Sequence, residues 1–264
     1  MKPLRASGKN FRISEFDPDD TSLFEGGKKE ASIEALKTQE RLSDLQELLY
    51  AVGNHKLLIV LQGMDTSGKD GTIRHLMGGL GAVGVYVASF KKPSQQELDH
   101  DFLWRVHAKV PGRGEIVIFN RSHYEDVLVV RVRSLVPEKI WRKRYQQIVD
   151  FERMLVENGT IILKFFLYIS PEEQKKRLEE RVADATKRWK FNPGDLEERK
   201  LWPAYEKAYE DALGETSTDV APWYVVPANK KWYRNWVIGS IVVKALEDLD
   251  MKYPEIDLSN VVIE

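Results

Sequence analysis

The sequence predicts an α/β fold in three layers: a doubly wound, mainly parallel five-stranded sheet with helices on both faces. Two observations carry that expectation. Five short apolar runs, Leu57–Leu61, Val85–Val87, Ile116–Phe119, Ile161–Ile169 (broken by Lys164) and Trp223–Val226, alternate with helical segments. Strand–helix alternation of this kind places strands in parallel, since each return passes through a helix. The first run also leads directly into a glycine-rich stretch, Gly63-Met64-Asp65-Thr66-Ser67-Gly68-Lys69-Asp70-Gly71, that opens the next helix.

Taken in order, residues 1–30 are rich in Gly, Lys, Asp and Ser, with Phe11, Ile13, Phe16 and Phe24 as scattered apolar anchors. They read as an irregular N-terminal arm, laid on the body or on a partner subunit. Residues 31–264 read as a single domain. Its first helix sets Leu42, Leu45, Leu49 and Val52 on one face and closes at Gly53-Asn54. The helix after the glycine-rich stretch aligns Ile73, Leu76, Met77 and Leu80. Ser94-Gln-Gln-Glu97 and Ser170-Pro-Glu-Glu173 have the form of capping boxes, the second with Pro171 at the first helical position. Pro137 opens a long helix that turns Trp141, Tyr145, Ile148, Phe151 and Leu155 inward before Gly159 stops it. Several of the strands lack polar alternation, as expected where both faces are covered.

Composition narrows the function classes. The absence of cysteine among 264 residues excludes a disulfide framework, a thiolate zinc site and a cysteine nucleophile. Forty Lys+Arg against 41 Asp+Glu, a net charge of −1, argues against nucleic acid as a partner. No apolar run approaches the roughly 18–20 residues of a membrane span, and the N-terminal stretch lacks a signal-peptide core. A cytoplasmic protein without a membrane partner is the expectation.

Residues 63–71 match G-x-x-x-x-G-K, the spacing of a phosphate-binding loop. Glycines let the backbone curl so that successive N–H groups face phosphate oxygens, and the helix N-terminus adds its positive dipole end. Lys69 supplies a point charge for the phosphates. Asp70 stands where Ser or Thr commonly helps hold Mg²⁺. Asp65 is a carboxylate inside an anion cradle, which makes Mg²⁺ ligation its natural role. A chance spacing in a turn is the competing reading, and the strand before and amphipathic helix after weigh against it.

A second cluster follows Ile116–Phe119: Asn120-Arg121-Ser122-His123-Tyr124-Glu125-Asp126. Ligands of such folds gather beyond the carboxyl ends of the strands. Arg121 has the fork and permanent charge suited to a phosphoryl group. Asn120 occupies the place of an expected acid, so metal duty falls to Asp65, with Asp126 or Glu125 assisting. The competing reading is a solvated, self-paired charge cluster. His123 reads as a hydrogen-bonded packing residue, there being no second His or Cys at ligand spacing.

G-x-D-x-x-G-K-D-G, followed about fifty residues later by F-N-R-S-H-Y-E-D, resembles the second polyphosphate kinase family over roughly residues 30–250. The resemblance implies a thymidylate-kinase-like P-loop kinase fold with a helical lid. It also implies Mg²⁺-dependent phosphoryl transfer between inorganic polyphosphate and nucleotides. The commoner strand-end pattern of that family is F-D-R-S-W-Y-N-R. The form found here is similar to the subclass accepting both AMP and ADP. Matched residue by residue, Asp65, Lys69 and Arg121 fall on catalytic positions. Asn120, Glu125 and Asp126 fall on positions tied to the acceptor nucleotide.

After the helix beginning at Ser170 come Arg177, Arg181 and then Lys187-Arg188-Trp189-Lys190-Phe191-Asn192-Pro193. This basic segment is expected to be a lid over about 177–195, with Arg181 and Arg188 meeting the transferring group. Between Lys91 and Arg144, twelve Lys/Arg face seven Asp/Glu, an excess of five. A polyanion needs a positively lined channel, and Lys91, Lys92, Arg131, Arg133, Lys187 and Lys190 are the candidate walls. Trp232, Tyr233 and Trp236 are read as core aromatics rather than a base-stacking surface.

The expected reaction is phosphorylation of AMP to ADP and of ADP to ATP by polyphosphate. The attacking phosphate oxygen is already anionic, so positioning and charge neutralisation suffice without a strong base. An ATP-dependent nucleoside-monophosphate kinase of the same fold and a non-catalytic nucleotide-binding module are the alternatives. Adenine nucleotides are the expected partners, with guanine left open, and a homodimer or homotetramer is the expected assembly.

Overall fold

The computed structural model describes residues 4–6, 8 and 10–257. Five parallel strands form one sheet in the order β2-β3-β1-β4-β5. They are β1 (Lys56–Gln62), β2 (Val85–Ser89), β3 (Ile116–Asn120), β4 (Thr160–Tyr168) and β5 (Trp223–Pro227). The expected five-stranded α/β architecture is therefore what forms.

Alternation along β1 divides its side chains between two cores. Leu58 and Val60 join one with Val117 and Phe119, while Leu57, Ile59 and Leu61 join the other with Ile116 and Ile118. The second core is roofed by α1 (Lys28–Val52), α2 (Lys69–Met77) and the C-terminal helix α10 (Lys231–Glu247). Helix α10 lies so close to α1 that a side chain on Gly239 would come within 2.9 Å of Thr38. Gly53, in the left-handed region at φ 62°, ends α1.

Two short helices, α3 (Gln95–Leu98) and α4 (Trp104–His107), link β2 to β3, and α5 (Val129–Val132) follows the second sequence cluster. The Ser94 capping box forms in full, although it starts only one helical turn. Helix α6 (Glu138–Glu157) buries Trp141, Tyr145, Ile148, Phe151 and Leu155, the face the sequence marked. In α7 (Pro171–Ala183) the Ser170 hydroxyl accepts from the Glu173 N–H at 3.1 Å. The reciprocal half of that box is absent, because Glu173 instead accepts from Arg177 at 2.7 Å. Helices α8 (Gly194–Lys200) and α9 (Trp202–Thr216) complete the set.

Edges differ from the centre. β2 has one neighbour, and Tyr86 and Val87 are exposed on it. The outer side of β5 is met by the arm: Arg5 bridges Tyr224, and the Ala6 N–H donates to the Trp223 carbonyl at 2.9 Å. Leu4, Ala6, Phe11 and Ile13 are buried, and the Ile13 N–H donates to Glu210 of α9 at 3.1 Å. The described part of the arm thus lies on its own body. Phe24 packs edge-on against Trp232 and Trp236, and Tyr233 is buried, so these aromatics are core. Among the described residues no helix is long and apolar enough to cross a membrane.

Candidate active site

Parallel pairing of β1 with β3 sets Leu61 beside Asn120, so the glycine-rich loop and the second cluster leave the sheet side by side. Gly63 has φ 151°, and a side chain there would lie 2.7 Å from the Leu167 carbonyl. Gly68, at φ 105°, caps α2, and its α-carbon faces the Arg234 guanidinium so closely that a β-carbon would be 1.9 Å away. These two glycines have steric reasons to be glycine. The loop therefore adopts the curled strand-to-helix path that phosphate binding requires.

Lys69 is buried and folds back on the loop, donating to the carbonyls of Gly63 at 2.8 Å and Met64 at 3.2 Å. Burial, then the nearby Arg121, lowers its pKa to about 8. Arg121 sits at φ 62° and is anchored by its N–H to the Leu61 carbonyl at 3.1 Å. Its Nη2 donates to Asp65 Oδ1 at 3.0 Å, and its Nη1 lies 3.7 Å from Glu125. Burial raises the Glu125 carboxyl, against the pull of Arg121 and Lys69. The hydroxyls of Thr66, Ser67 and Thr72 are buried without a protein partner among the described residues. Two of these belong to the loop and the third to the first turn of α2, and none lines the cavity described next.

Asp65, Arg121 and Glu125 line a cavity of about 570 Å³, together with Arg133, Asp195 and Tyr209. Asp195, Glu198 and the Trp202/Tyr205/Tyr209 stripe of α9 went unread in the sequence. Helical spacing at 202, 205 and 209 is the signal that could have found the aromatics. No motif marks the acids.

Other expected residues lie elsewhere or are already occupied. The Asn120 amide donates to Asp70 Oδ1 at 3.0 Å, and Lys190 comes within 3.7 Å of the same carboxylate, so the segment expected as a lid touches the glycine-rich loop. Arg181 reaches Asp195 at 3.6 Å. Arg188 donates to the Val182 carbonyl and Lys187 pairs with Asp184, both contacts within the lid segment itself. Arg177 belongs not to a lid but to the buried face of α7. Asp126, read as an acceptor or metal residue, is held by Arg144 at 2.8 Å and does not line the cavity. Arg131 bonds Asp211 at 2.8 Å and stacks 4.6 Å over Trp141. Arg133 bonds Glu198 at 3.0 Å on the cavity wall. Lys91 and Lys92 line a separate cavity of about 710 Å³ beside β2, with Arg105 and Lys109.

Among the described residues no three acidic, His or Cys side chains cluster as a metal cage. Magnesium does not require one, since it is commonly held by one or two carboxylates, substrate phosphates and water. Asp65, partly exposed at the cavity, fits that pattern. Asp126, committed to Arg144, does not.

Residues 26–254 match the family model described as polyphosphate kinase 2. The chain belongs to the polyphosphate kinase 2 family. It is 61% identical over 246 residues to an AMP/ADP-polyphosphate phosphotransferase of Meiothermus ruber, covering 93% of this chain and 92% of that one. It is 44% identical to an ADP-polyphosphate phosphotransferase of Rhodopseudomonas palustris, across 96% and 94% of the two chains. The crystal structure of polyphosphate kinase 2 from Arthrobacter aurescens superposes with a TM-score of 0.94 at 42% identity, covering 97% of this chain and 92% of that one. The glycine-rich loop and the Arg121 cluster both lie inside the matched span.

Proposed function

We propose that this chain transfers phosphoryl groups between inorganic polyphosphate and adenine nucleotides, converting AMP to ADP and ADP to ATP. The convergence of Asp65, Lys69 and Arg121 at the end of β1 and β3 carries the reading. Family membership and the names of the relatives support its substrate class.

Lys69 swings from the Gly63 and Met64 carbonyls onto phosphate oxygens, a better partner for a buried ammonium. Arg121 spreads charge on the transferring group with its planar fork, and Asp65 orients that fork. Glu125 backs Arg121 and borders the acceptor pocket, with Asn120 holding Asp70 beside it. Arg181, Arg188, Lys187 and Lys190 lie on the segment whose closure excludes water. Mg²⁺ bound at Asp65 would neutralise charge shared by the phosphates. Lys91, Lys92 and Arg133 border the path of the polyphosphate chain. Exposed Ile33 and Leu36 of α1, with the bare edge of β2, support assembly into a dimer or tetramer, which light scattering tests.

The deciding experiment supplies AMP or ADP, long-chain polyphosphate and Mg²⁺ to the purified chain without ATP. ADP and then ATP should accumulate. No product from either acceptor, under conditions where the chain is folded, refutes the proposal.

A further inference from the structure

Gln174 and Arg177 are three residues apart on α7, hence on one helix face, and both are buried. Gln174 Nε2 donates to the Asp65 carbonyl at 3.0 Å. Arg177 Nη1 donates to the carbonyls of Thr66 at 2.9 Å and Ser67 at 3.0 Å. Three successive carbonyls of the phosphate loop are therefore held by one face of one helix. The rest of the guanidinium is equally committed. Nη2 donates to Ala228 at 2.7 Å and Asn229 at 2.9 Å, and Nε donates to Glu173 at 2.7 Å. A guanidinium has five N–H donors, and these bonds use them all. Arg177 has no donor left for a phosphate.

In a planar trans peptide the carbonyl of one residue and the N–H of the next point to opposite sides. Fixing carbonyls 65, 66 and 67 towards α7 therefore turns the N–H groups of Thr66, Ser67 and Gly68 away from it. That of Ser67 closes the turn onto the Met64 carbonyl at 3.1 Å. Those of Thr66 and Gly68 are turned to the opposite side, where the proposed anion would bind. The shape is not one the chain adopts freely. Thr66 is β-branched yet sits at φ 64°, which persists only when surroundings enforce it. Arg234, also buried, adds a donor to the Ser67 carbonyl at 3.3 Å.

We propose that Arg177, assisted by Gln174, is a positioning residue for phosphoryl transfer. It holds the loop in its anion-binding shape before the substrate arrives. The inference rests on reading residues 63–71 as the phosphate loop. It differs in kind from the role of Arg121, which faces the cavity. A Lys cannot replace a fork with five directed bonds.

Inorganic triphosphate, titrated calorimetrically into the full-length chain, is the probe, alongside turnover with ADP and long-chain polyphosphate. Arg177→Met is expected to bind triphosphate roughly tenfold more weakly or worse, and to lose kcat by more than it raises KM for ADP. Arg177→Lys is expected to recover only a small part of that loss. A folded Arg177→Met with wild-type affinity and kcat, and only a lowered Tm, overturns the proposal, since a purely structural arginine behaves that way. If Arg177→Met does not fold, Gln174→Leu decides, because it frees the Asp65 carbonyl alone. Reduced triphosphate affinity then supports the proposal and wild-type affinity overturns it. A wild-type chain that fails to bind triphosphate refutes the phosphate-loop reading itself, which keeps the two failures distinct.

Discussion

Asp65 and Arg121 are 56 positions apart in the chain, yet Asp65 Oδ1 accepts a 3.0 Å hydrogen bond from Arg121 Nη2. Neither residue lies in a strand. Each follows the end of one, and the parallel register of β1 against β3 brings the two ends together. The pair is partly open, with side-chain exposures of 29% and 43%, so solvent screens it and its contribution to stability is small.

That exposure separates stability from activity. Asp65→Ala should change unfolding free energy by less than about 1 kcal/mol while removing nearly all turnover. Arg121→Lys should lower kcat by roughly 10³-fold, the scale on which an arginine stabilises a transferring phosphoryl group. Urea unfolding and steady-state kinetics on the same preparations check both. Near-normal turnover in Asp65→Ala would remove it from the reaction.

Lys69 should make phosphate binding a proton-uptake event. Its pKa near 8 in the ligand-free chain, set by burial and by Arg121, leaves it partly deprotonated at pH 8. Bound phosphates favour the charged form and raise that pKa, so binding at pH 8 takes up about half a proton. At pH 6 the lysine is already charged and uptake from it should vanish. Calorimetry with triphosphate in buffers of different ionisation enthalpy measures this directly. The signal should be lost in Lys69→Met, and uptake that persists there would assign it to another group.

Lys164, the one break in the apolar run of β4, is fully buried. Its ammonium donates to Glu152 at 2.6 Å, to the Tyr124 hydroxyl at 2.9 Å and to the Thr216 carbonyl at 2.8 Å. Lys164→Met should cost about 3–5 kcal/mol, because it takes the buried Glu152 carboxylate's ammonium partner and leaves it only the Tyr124 and His123 contacts. Replacing Glu152 with Leu in the same chain should recover part of the loss. Denaturant melts of the single and double variants decide, and an unperturbed single variant would contradict the buried pair.

The two groups of candidate channel residues should respond differently. Lys91→Ala with Lys92→Ala should raise KM for long-chain polyphosphate several-fold and flatten its dependence on salt, since both side chains are exposed and cationic. Arg131→Ala should instead lower Tm through loss of its Asp211 bond and Trp141 contact. A polyphosphate KM that moves with Arg131 and not with the two lysines would reverse these placements.

Local pattern was enough for the order of strands and helices, for the glycine-rich turn after β1 and for Arg121 at the end of β3. Those features depend on neighbours in sequence: hydrophobic period, glycine spacing, a cap. His123 was also legible as a packing residue, and it lies buried against Glu152 at 3.2 Å. What the chain's own pattern did not disclose is which charged groups are already taken. Arg177 and Arg181 look alike on one helix, yet one spends every donor on Glu173 and on buried carbonyls while the other reaches Asp195. Asp126 and Glu125 are adjacent, yet Arg144 claims the first while the second faces the cavity. Such choices rest on pairings between elements far apart in sequence, and a charge acquires its role from the partner that desolvates or neutralises it. Sequence alone determined that a glycine-rich turn of G-x-x-x-x-G-K spacing joins a parallel strand to a helix. Only the tertiary packing decided that Arg177 is spent on the carbonyls of that turn while Arg121 lines the cavity.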